Sequence, residues 1–260
     1  MKIATWNVNS VKARIPRVLE FLHTHRPDVL CLQETKTTPE GFPRGAFMEA
    51  GYAAAALSAG QWAGVAILAP QATPITDVTC GLPGAPLPEG ARWIEATVGV
   101  VRVVSVYVIN GRTLDDPMFP AKLGFLDAMA ARVRSLHGQP LVVAGDFNIA
   151  PADIDVYSPS AFAGATHVTP EERGRLRTIL DAGLVDAYRH LDPDGVHHTW
   201  WDYRGGDFHR GLGLRIDLAL VSPDIAATVR SCGIDREFRK GPKPSDHAPL
   251  ILSTDLSQGT

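Results

Sequence analysis

Asparagine is scarce in this sequence, and all four copies stand beside apolar runs. Asn7 and Asn9 close "KIATWNVN", Asn110 closes "VVSVYVIN", and Asn148 closes "LVVAGDFN". Acids and an imidazole occupy the same kind of place. Glu34 follows "DVLCLQ", Asp146 ends "LVVAGD", Asp217 interrupts "RIDLALV", and Asp246 with His247 precedes "APLILS". A single asparagine there is most simply a turn former. Four of four, with acids at equivalent places, point to one shared site, because α/β proteins gather functional groups at strand ends. The set is mostly oxygen donors. Hard oxygen ligands suit Mg²⁺ or Mn²⁺ rather than structural zinc. Mg²⁺ is usually held by one or two carboxylates plus substrate phosphate oxygens, so the pattern points to phosphate-ester chemistry.

Other catalytic signatures are missing: no GxSxG elbow, no HExxH, no Walker lysine loop and no GxGxxG. His23 and His25 in "FLHTHRP" read as a solvent-facing helix end, and His197 and His198 after "DPDG" read as exposed. Three widely spaced cysteines fit a reducing compartment, and Cys31 inside "DVLCLQE" reads as a small core residue. No window of about 18 apolar residues marks a membrane span, and "MKIATWNVNS" lacks the apolar core of a signal peptide. The expectation is a cytoplasmic protein. A net charge of −3 argues against a generally basic coat, but residues 230–243 carry Arg230, Arg236, Arg239, Lys240 and Lys243 against Asp235 and Glu237, a local excess of positive charge.

The elements that must position these groups are legible in outline. "VLCLQ", "GVAILAP", "VRVVSVYVI", "PLVVAG" and "RIDLALVS" read as strands buried on both faces or nearly so. "KARIPRVLEFLHTH" has helical apolar spacing and ends before Pro27. "FPAKLGFLDAMAARVRSLHG" is a long amphipathic helix closed by Gly138. "TPEERGRLRTILDAGL" opens with Thr169 as N-cap and Pro170 at the first helical position. Strands and helices interleave, which gives an α/β class. No stretch reads as a flexible linker, so one domain over 1–260 is expected.

Taken in order, "IATWNVNSVKAR", "LCLQETK", "SVYVING", "GDFNIAP", "THVTPEER", "TWWDYR", "GLRIDL" and "KPSDHAP" resemble the exonuclease III family of abasic-site endonucleases, within the endonuclease/exonuclease/phosphatase superfamily. "GDFN" is shared across the superfamily; "TWWDYR" followed by "GLRIDL" is more specific to this branch. The resemblance implies a four-layer α/β sandwich, two mixed sheets packed face to face with helices outside. It implies cleavage of duplex DNA 5′ to abasic sites, 3′→5′ exonuclease action and removal of 3′-blocking groups, by a monomer using Mg²⁺ or Mn²⁺.

The same resemblance assigns roles. Asp146 orients or deprotonates the attacking water, assisted by Asn148. Asn7 and Glu34 hold the metal, with Asn9 and Asp246 close by; Asp146, Asn148 and His247 also count among the metal-side groups. His247 binds the scissile phosphate, oriented by Asp217, and Tyr107 steadies the phosphate or leaving group. Trp200, Leu214 and Ile216 line a lesion pocket, and Arg112 and Arg204 insert into the DNA stack. Asn9, Lys36, Asn110, Trp201, Tyr203 and Lys243 complete the DNA-facing set. The pattern departs from the family at Ile109, where proline is usual, and at Ala63 in a shortened loop, where asparagine is usual. Two alternatives are a superfamily phosphodiesterase or phosphatase acting on RNA or inositol phosphates, and a non-catalytic DNA-binding module. The "TWWDYR" loop weighs against the first and the intact acids against the second.

Overall fold

Each apolar run becomes a strand covered on both faces. The computed structural model describes residues 1–87 and 90–256. Among them one sheet contains β1 (Lys2–Asn7), β2 (Val29–Gln33), β3 (Tyr52–Leu57), β4 (Val65–Pro70), β11 (Val229–Ile234) and β12 (Leu250–Thr254), in the order β11-β12-β1-β2-β4-β3. The other contains β5 (Ile75–Cys80), β6 (Trp93–Val98), β7 (Val101–Tyr107), β8 (Leu141–Asp146), β9 (Val185–Asp186) and β10 (Asp217–Val221), in the order β5-β6-β7-β8-β10-β9. Pairing is antiparallel except for β1 with β2 and β7 with β8, so both sheets are mixed.

The side-chain period of two divides each strand between two cores. On β8, Val142 and Ala144 meet Ile3, Cys31 and Val65 of the facing sheet, while Leu141 and Val143 turn outward. The outward faces are covered by helices. Helix α1 (Val11–His25) lays Val18, Phe21 and Leu22 on Trp6 and Leu30. Helix α2 (Arg44–Glu49) adds Phe47 to the same layer. Helices α3 (Met118–Ser135) and α4 (Pro170–Asp181) cover the other sheet with Phe125, Met129, Val133, Leu176 and Ile179. Each such side chain contributes on the order of 1.5–3 kcal/mol when fully buried. The result is the four-layer sandwich that the resemblance implied.

Helix boundaries fall where local chemistry marks them. Arg26 ends α1 in the left-handed conformation. Thr169 caps α4 by accepting from Glu172 N, and Pro170 opens it. The strands that carry no continuous apolar run, β5 and β11, are exposed edges, so their sequences alternate with polar residues. His25 is not a bare helix end: its Nε2 lies 2.8 Å from Asp235 Oδ2, and its ring packs near Phe21 and Phe238. Cys31 is buried, and burial pushes its thiol up to about 12, which leaves it inert as a nucleophile.

Two closures bring the strand ends together. Ser245 Oγ donates to Asn7 O at 2.7 Å, and Trp6 Nε1 donates to His247 O at 3.0 Å, tying the approach to β12 onto β1. In the second sheet Tyr107 pairs with Asp146 across β7 and β8, and Asp217 pairs with Asp146 across β10 and β8. Gly145 makes this approach possible, since a Cβ there would stand 1.9 Å from Val106 O.

Candidate active site

The strand ends bring the polar set into one hydrogen-bonded cluster. Asn7 Nδ2 donates to Glu34 Oε1 at 2.7 Å and to Asp146 Oδ2 at 2.9 Å. Asp146 Oδ1 accepts from the Asn148 backbone N at 2.9 Å. Asn148 in turn donates its Nδ2 to Val108 O and accepts from Asn110 Nδ2. On the other side Asn9 accepts from Lys36 Nζ at 2.6 Å and donates to Asp246 Oδ1 at 3.0 Å. Lys36 also pairs with Glu34 Oε2 at 2.6 Å. Asn9, Glu34, Lys36 and Asn148 all hold positive φ without being glycine. Such backbone persists only where the surroundings over-determine it, and it clusters at functional sites.

His247 sits between two carboxylates. Its Nδ1 lies 2.8 Å from Asp217 Oδ2 and its Nε2 3.7 Å from Asp146 Oδ2. Burial alone would lower its pKa, but Asp217 and Asp146 outweigh that and raise it to about 10. The ring is therefore an imidazolium with Nδ1 donating to Asp217. Burial raises Asp146 to about 7; His247 opposes this, while Asp217 and Glu34 add to it. Burial, then the charges of Glu34 and Asp146, hold the Tyr107 hydroxyl well above its ordinary value. It remains a neutral donor. Arg92 stands over its ring at 4.6 Å. Asp217 is not paired with Arg215, which instead binds Asp155 at 2.6 Å and Asp186 at 2.8 Å.

The donor chemistry fits a hard divalent cation. Glu34, Asp146 and His247 each bring one candidate ligand atom within 4.8 Å of the others. With His247 held as an imidazolium, the available lone pairs are those of the two carboxylates and the Asn7 carboxamide. Asp217 Oδ1 is buried with no hydrogen-bond partner, a further sign of uncompensated negative charge in the cluster. Asp246 holds Asn9 and accepts from Trp200 Nε1 at 3.2 Å.

The remaining expected residues separate into rim and interior. Arg112, Tyr203, Arg204 and Lys243 are exposed, as is Asn110. Arg204 is held by Asp202 at 2.8 Å and Arg112 faces Asp116 at 3.5 Å. Trp200 is half-buried, bridged by backbone to Leu214 and His247. Leu214 and Ile216, expected as pocket walls, are buried and form the floor behind Trp200 with Ala150 and Val156. Trp201, expected at the DNA face, is only 1% exposed and packs on Phe208 and Ala248. Trp200 is held by isolated bridges to Leu214 and His247, while the ring of Trp201 turns inward onto Phe208. Ile109 is anchored by burial in the α3 core rather than by a proline ring. Ala63 keeps a structural part through its carbonyl, which accepts from Lys36 N at 2.8 Å.

One supporting group is invisible in the sequence. Lys122, fully buried on α3, donates to Asn148 O at 2.7 Å, Asn110 O at 3.1 Å and Thr166 Oγ1, and pairs with Glu172. His167 Nδ1 lies 2.6 Å from the same Asn148 carbonyl, and burial, then Lys122, push its pKa down to about 4. The one visible signal is the Thr169–Glu172 capping spacing, which discloses a helix start but not the second bond of Glu172. Lys122→Met should leave the Glu172 charge buried and unpaired, costing about 3–5 kcal/mol in urea unfolding. Unfolding at the wild-type midpoint would show that the pair does not hold these loops.

Comparison with known proteins agrees with this geometry. The sequence profile of the endonuclease/exonuclease/phosphatase family matches residues 4–247. The chain belongs to that family, in its exonuclease III and AP-endonuclease branch of DNA-repair nucleases. Exodeoxyribonuclease III of Haemophilus influenzae is 31% identical, covering 96% of this chain and 98% of that protein. Among solved structures, a 3′-5′ exonuclease (NExo) from Neisseria meningitidis is 42% identical with a TM-score of 0.95, covering 98% of this chain and all of that one. An AP endonuclease from Archaeoglobus fulgidus is 34% identical with the same TM-score and coverage.

Proposed function

We propose that this protein is a Mg²⁺- or Mn²⁺-dependent phosphodiesterase of duplex DNA that cuts 5′ to abasic sites, degrades from 3′ ends and clears 3′-blocking groups. All three reactions break a P–O3′ bond and leave a 3′-hydroxyl, so one site serves them. The observation that carries the reading is the convergence of Asn7, Glu34 and Asp146 on one side with the Asp217–His247 pair on the other. A 3′ phosphatase, NExo from Neisseria, has been solved bound to a product DNA hairpin, which supports a DNA substrate here.

Glu34 and Asp146, with the Asn7 carboxamide, are the groups that would hold the ion. When bound, it supplies Lewis-acid stabilisation of the phosphate oxygens. Asp146, positioned by Asn7 and the Asn148 N–H, orients the attacking water and accepts its proton. The His247 imidazolium, aimed by Asp217, donates to a non-bridging phosphate oxygen as charge develops there. The neutral Tyr107 hydroxyl faces the same charge. Asn9, Lys36, Asn110, Arg112, Tyr203, Arg204 and Lys243 form the rim that meets the strand. Because the site draws on strands from both ends of the sequence within one copy, we assign it to one domain acting as a monomer; the three free cysteines fit the cytoplasm. Among the described residues no helix is long and apolar enough to cross a membrane.

The test is cleavage of a labelled duplex carrying one abasic analogue and one recessed 3′ end, with a metal titration and an EDTA control. EDTA should abolish cleavage and spare binding; cleavage that persists in EDTA, or none with any divalent ion, would overturn the reading. A second outcome follows from Trp200, the one aromatic of the lesion-facing set at the surface. Trp200→Ala should reduce abasic-site cleavage about tenfold more than trimming of an open 3′ end, because only the internal site needs a flipped sugar held against a wall. Equal losses on both substrates would remove the wall from the account.

A further inference from the structure

Beside the reaction centre lies a cavity of about 390 Å³, walled by Asp202, Tyr203, Phe208, Arg239, Lys240 and Pro244 among others. Pro244 is two residues from Asp246, so the cavity adjoins the site without containing its reacting groups. Arg239 is its unusual member. The residue is 7% exposed, yet among the described residues no carboxylate lies within ion-pair distance of it. Its Nη2 makes one long contact, 3.4 Å to Trp201 O, and its Nε is buried with no partner. The guanidinium stands over the rings of Tyr203 at 5.0 Å and Phe208 at 5.2 Å. Arg236 also stands over Phe208, at 5.2 Å, and likewise has no ion-pair partner among the described residues. Buried arginine is ordinarily paired, because an isolated cation loses its hydration without return. Burial holds Arg239 below the ordinary arginine pKa, with Tyr203 and Asp246 opposing the shift. The two acids on the wall do not meet the need: Asp202 is taken by Arg204 at 2.8 Å, and Asp207 faces Arg210 at 3.8 Å.

A planar fork whose Nε has no partner, beside a Lys240 ammonium that Glu237 holds at the rim at 2.5 Å, is matched to a phosphate group. We infer that this cavity is an anion site with Arg239 as its receptor, and that it takes a phosphate of the DNA strand away from the scissile position. The inference rests on the nuclease reading for the source of its phosphate. A strand passing the exposed Tyr203 and Arg204 while its scissile phosphate faces His247 brings a neighbouring phosphate to this wall.

The experiment replaces the phosphates of a duplex one at a time by neutral methylphosphonates and measures binding in EDTA by fluorescence anisotropy. In the wild type, one position other than the scissile phosphate should raise Kd about 5- to 10-fold. In Arg239→Gln the same replacement should change Kd less than twofold, and the slope of log K against log salt should be shallower by about 0.9, the loss of one phosphate contact. Lys240→Glu, an exposed change at the rim, is the second variant should Arg239→Gln fail to fold; it should blunt the same position. In parallel, inorganic phosphate is compared with chloride at equal ionic strength by thermal melting. Phosphate stabilisation that Arg239→Gln or Lys240→Glu removes, with no strand position responding, keeps the anion site and overturns the strand as its source. No response in either arm overturns the proposal outright. Cleavage of the unmodified duplex by the wild type, run alongside, reports separately on the nuclease reading.

Discussion

Asp146→Asn is expected to lower single-turnover cleavage of an abasic duplex by more than about 10³-fold, beyond the 10²–10³ typical of losing one transition-state donor. On the proposed mechanism, the substitution removes the group that takes the proton of the attacking water. Asn7 Nδ2, which donates to Asp146 Oδ2 at 2.9 Å, would lose that acceptor and must re-aim, but the local backbone should hold. An asparagine at 146 can still accept from the Asn148 N–H, which holds Asp146 Oδ1 at 2.9 Å, so the turn after β8 should survive. Binding to the uncleaved duplex should persist or tighten, because a buried carboxylate near phosphates is gone. The measurement pairs rapid-quench rates with gel-shift affinities on one preparation. Near-normal turnover in that variant would sink the role given to Asp146.

Glu34→Gln should act on the ion rather than the water. The amide can still accept from Asn7 Nδ2, now 2.7 Å from Glu34 Oε1, but it gives up the pair with Lys36 at 2.6 Å and loses the charge that faces a cation. Losing even an outer partner of a metal ligand costs roughly 10–100-fold in metal affinity, and loss of a charged ligand should reach the upper end of that range or exceed it. The metal concentration for half-maximal rate should rise accordingly, while the unfolding transition stays near that of the wild type. A fall in rate with an unchanged metal titration would place Glu34 elsewhere in the mechanism.

How much of this is legible in the sequence differs by layer. Strands covered on both faces announce themselves as unbroken apolar runs, and β2, β4, β7, β8 and β10 are readable for that reason. The start of α4 is readable from its cap, Thr169 followed by Pro170, whereas α3 stops at Ser135 with Leu136 as its cap, two residues before the Gly138 that its sequence suggests. Edge strands such as β5, half in water, carry no such pattern. That the strands divide between two sheets comes from the resemblance, since periodicity says nothing about which sheet a strand joins. The polar cluster is legible because asparagine is rare and sits only at strand ends. Its partners are less so. Trp200 and Trp201 look alike in sequence, and only the surrounding fold decides that one lies by Asp246 and the other under Phe208. Lys122 sits at a helical position that reads as solvated, and nothing local discloses that Glu172 and two loop carbonyls wait beneath it.

The bond from Ser245 to Asn7 spans 238 residues of sequence. The end of β1 and the approach to β12 therefore contribute to one cluster of polar groups. A chain growing at about 5–20 residues per second reaches the Asp246–His247 pair on the order of ten to fifty seconds after Asn7 has been joined. Until then no portion of the polypeptide holds both the water-side carboxylate cluster and the imidazolium that faces it. On the proposed mechanism, a product of interrupted translation is thus expected to be inert towards the chromosome rather than a poorly controlled cutter, and strand scission becomes available only once synthesis has passed Asp246 and His247.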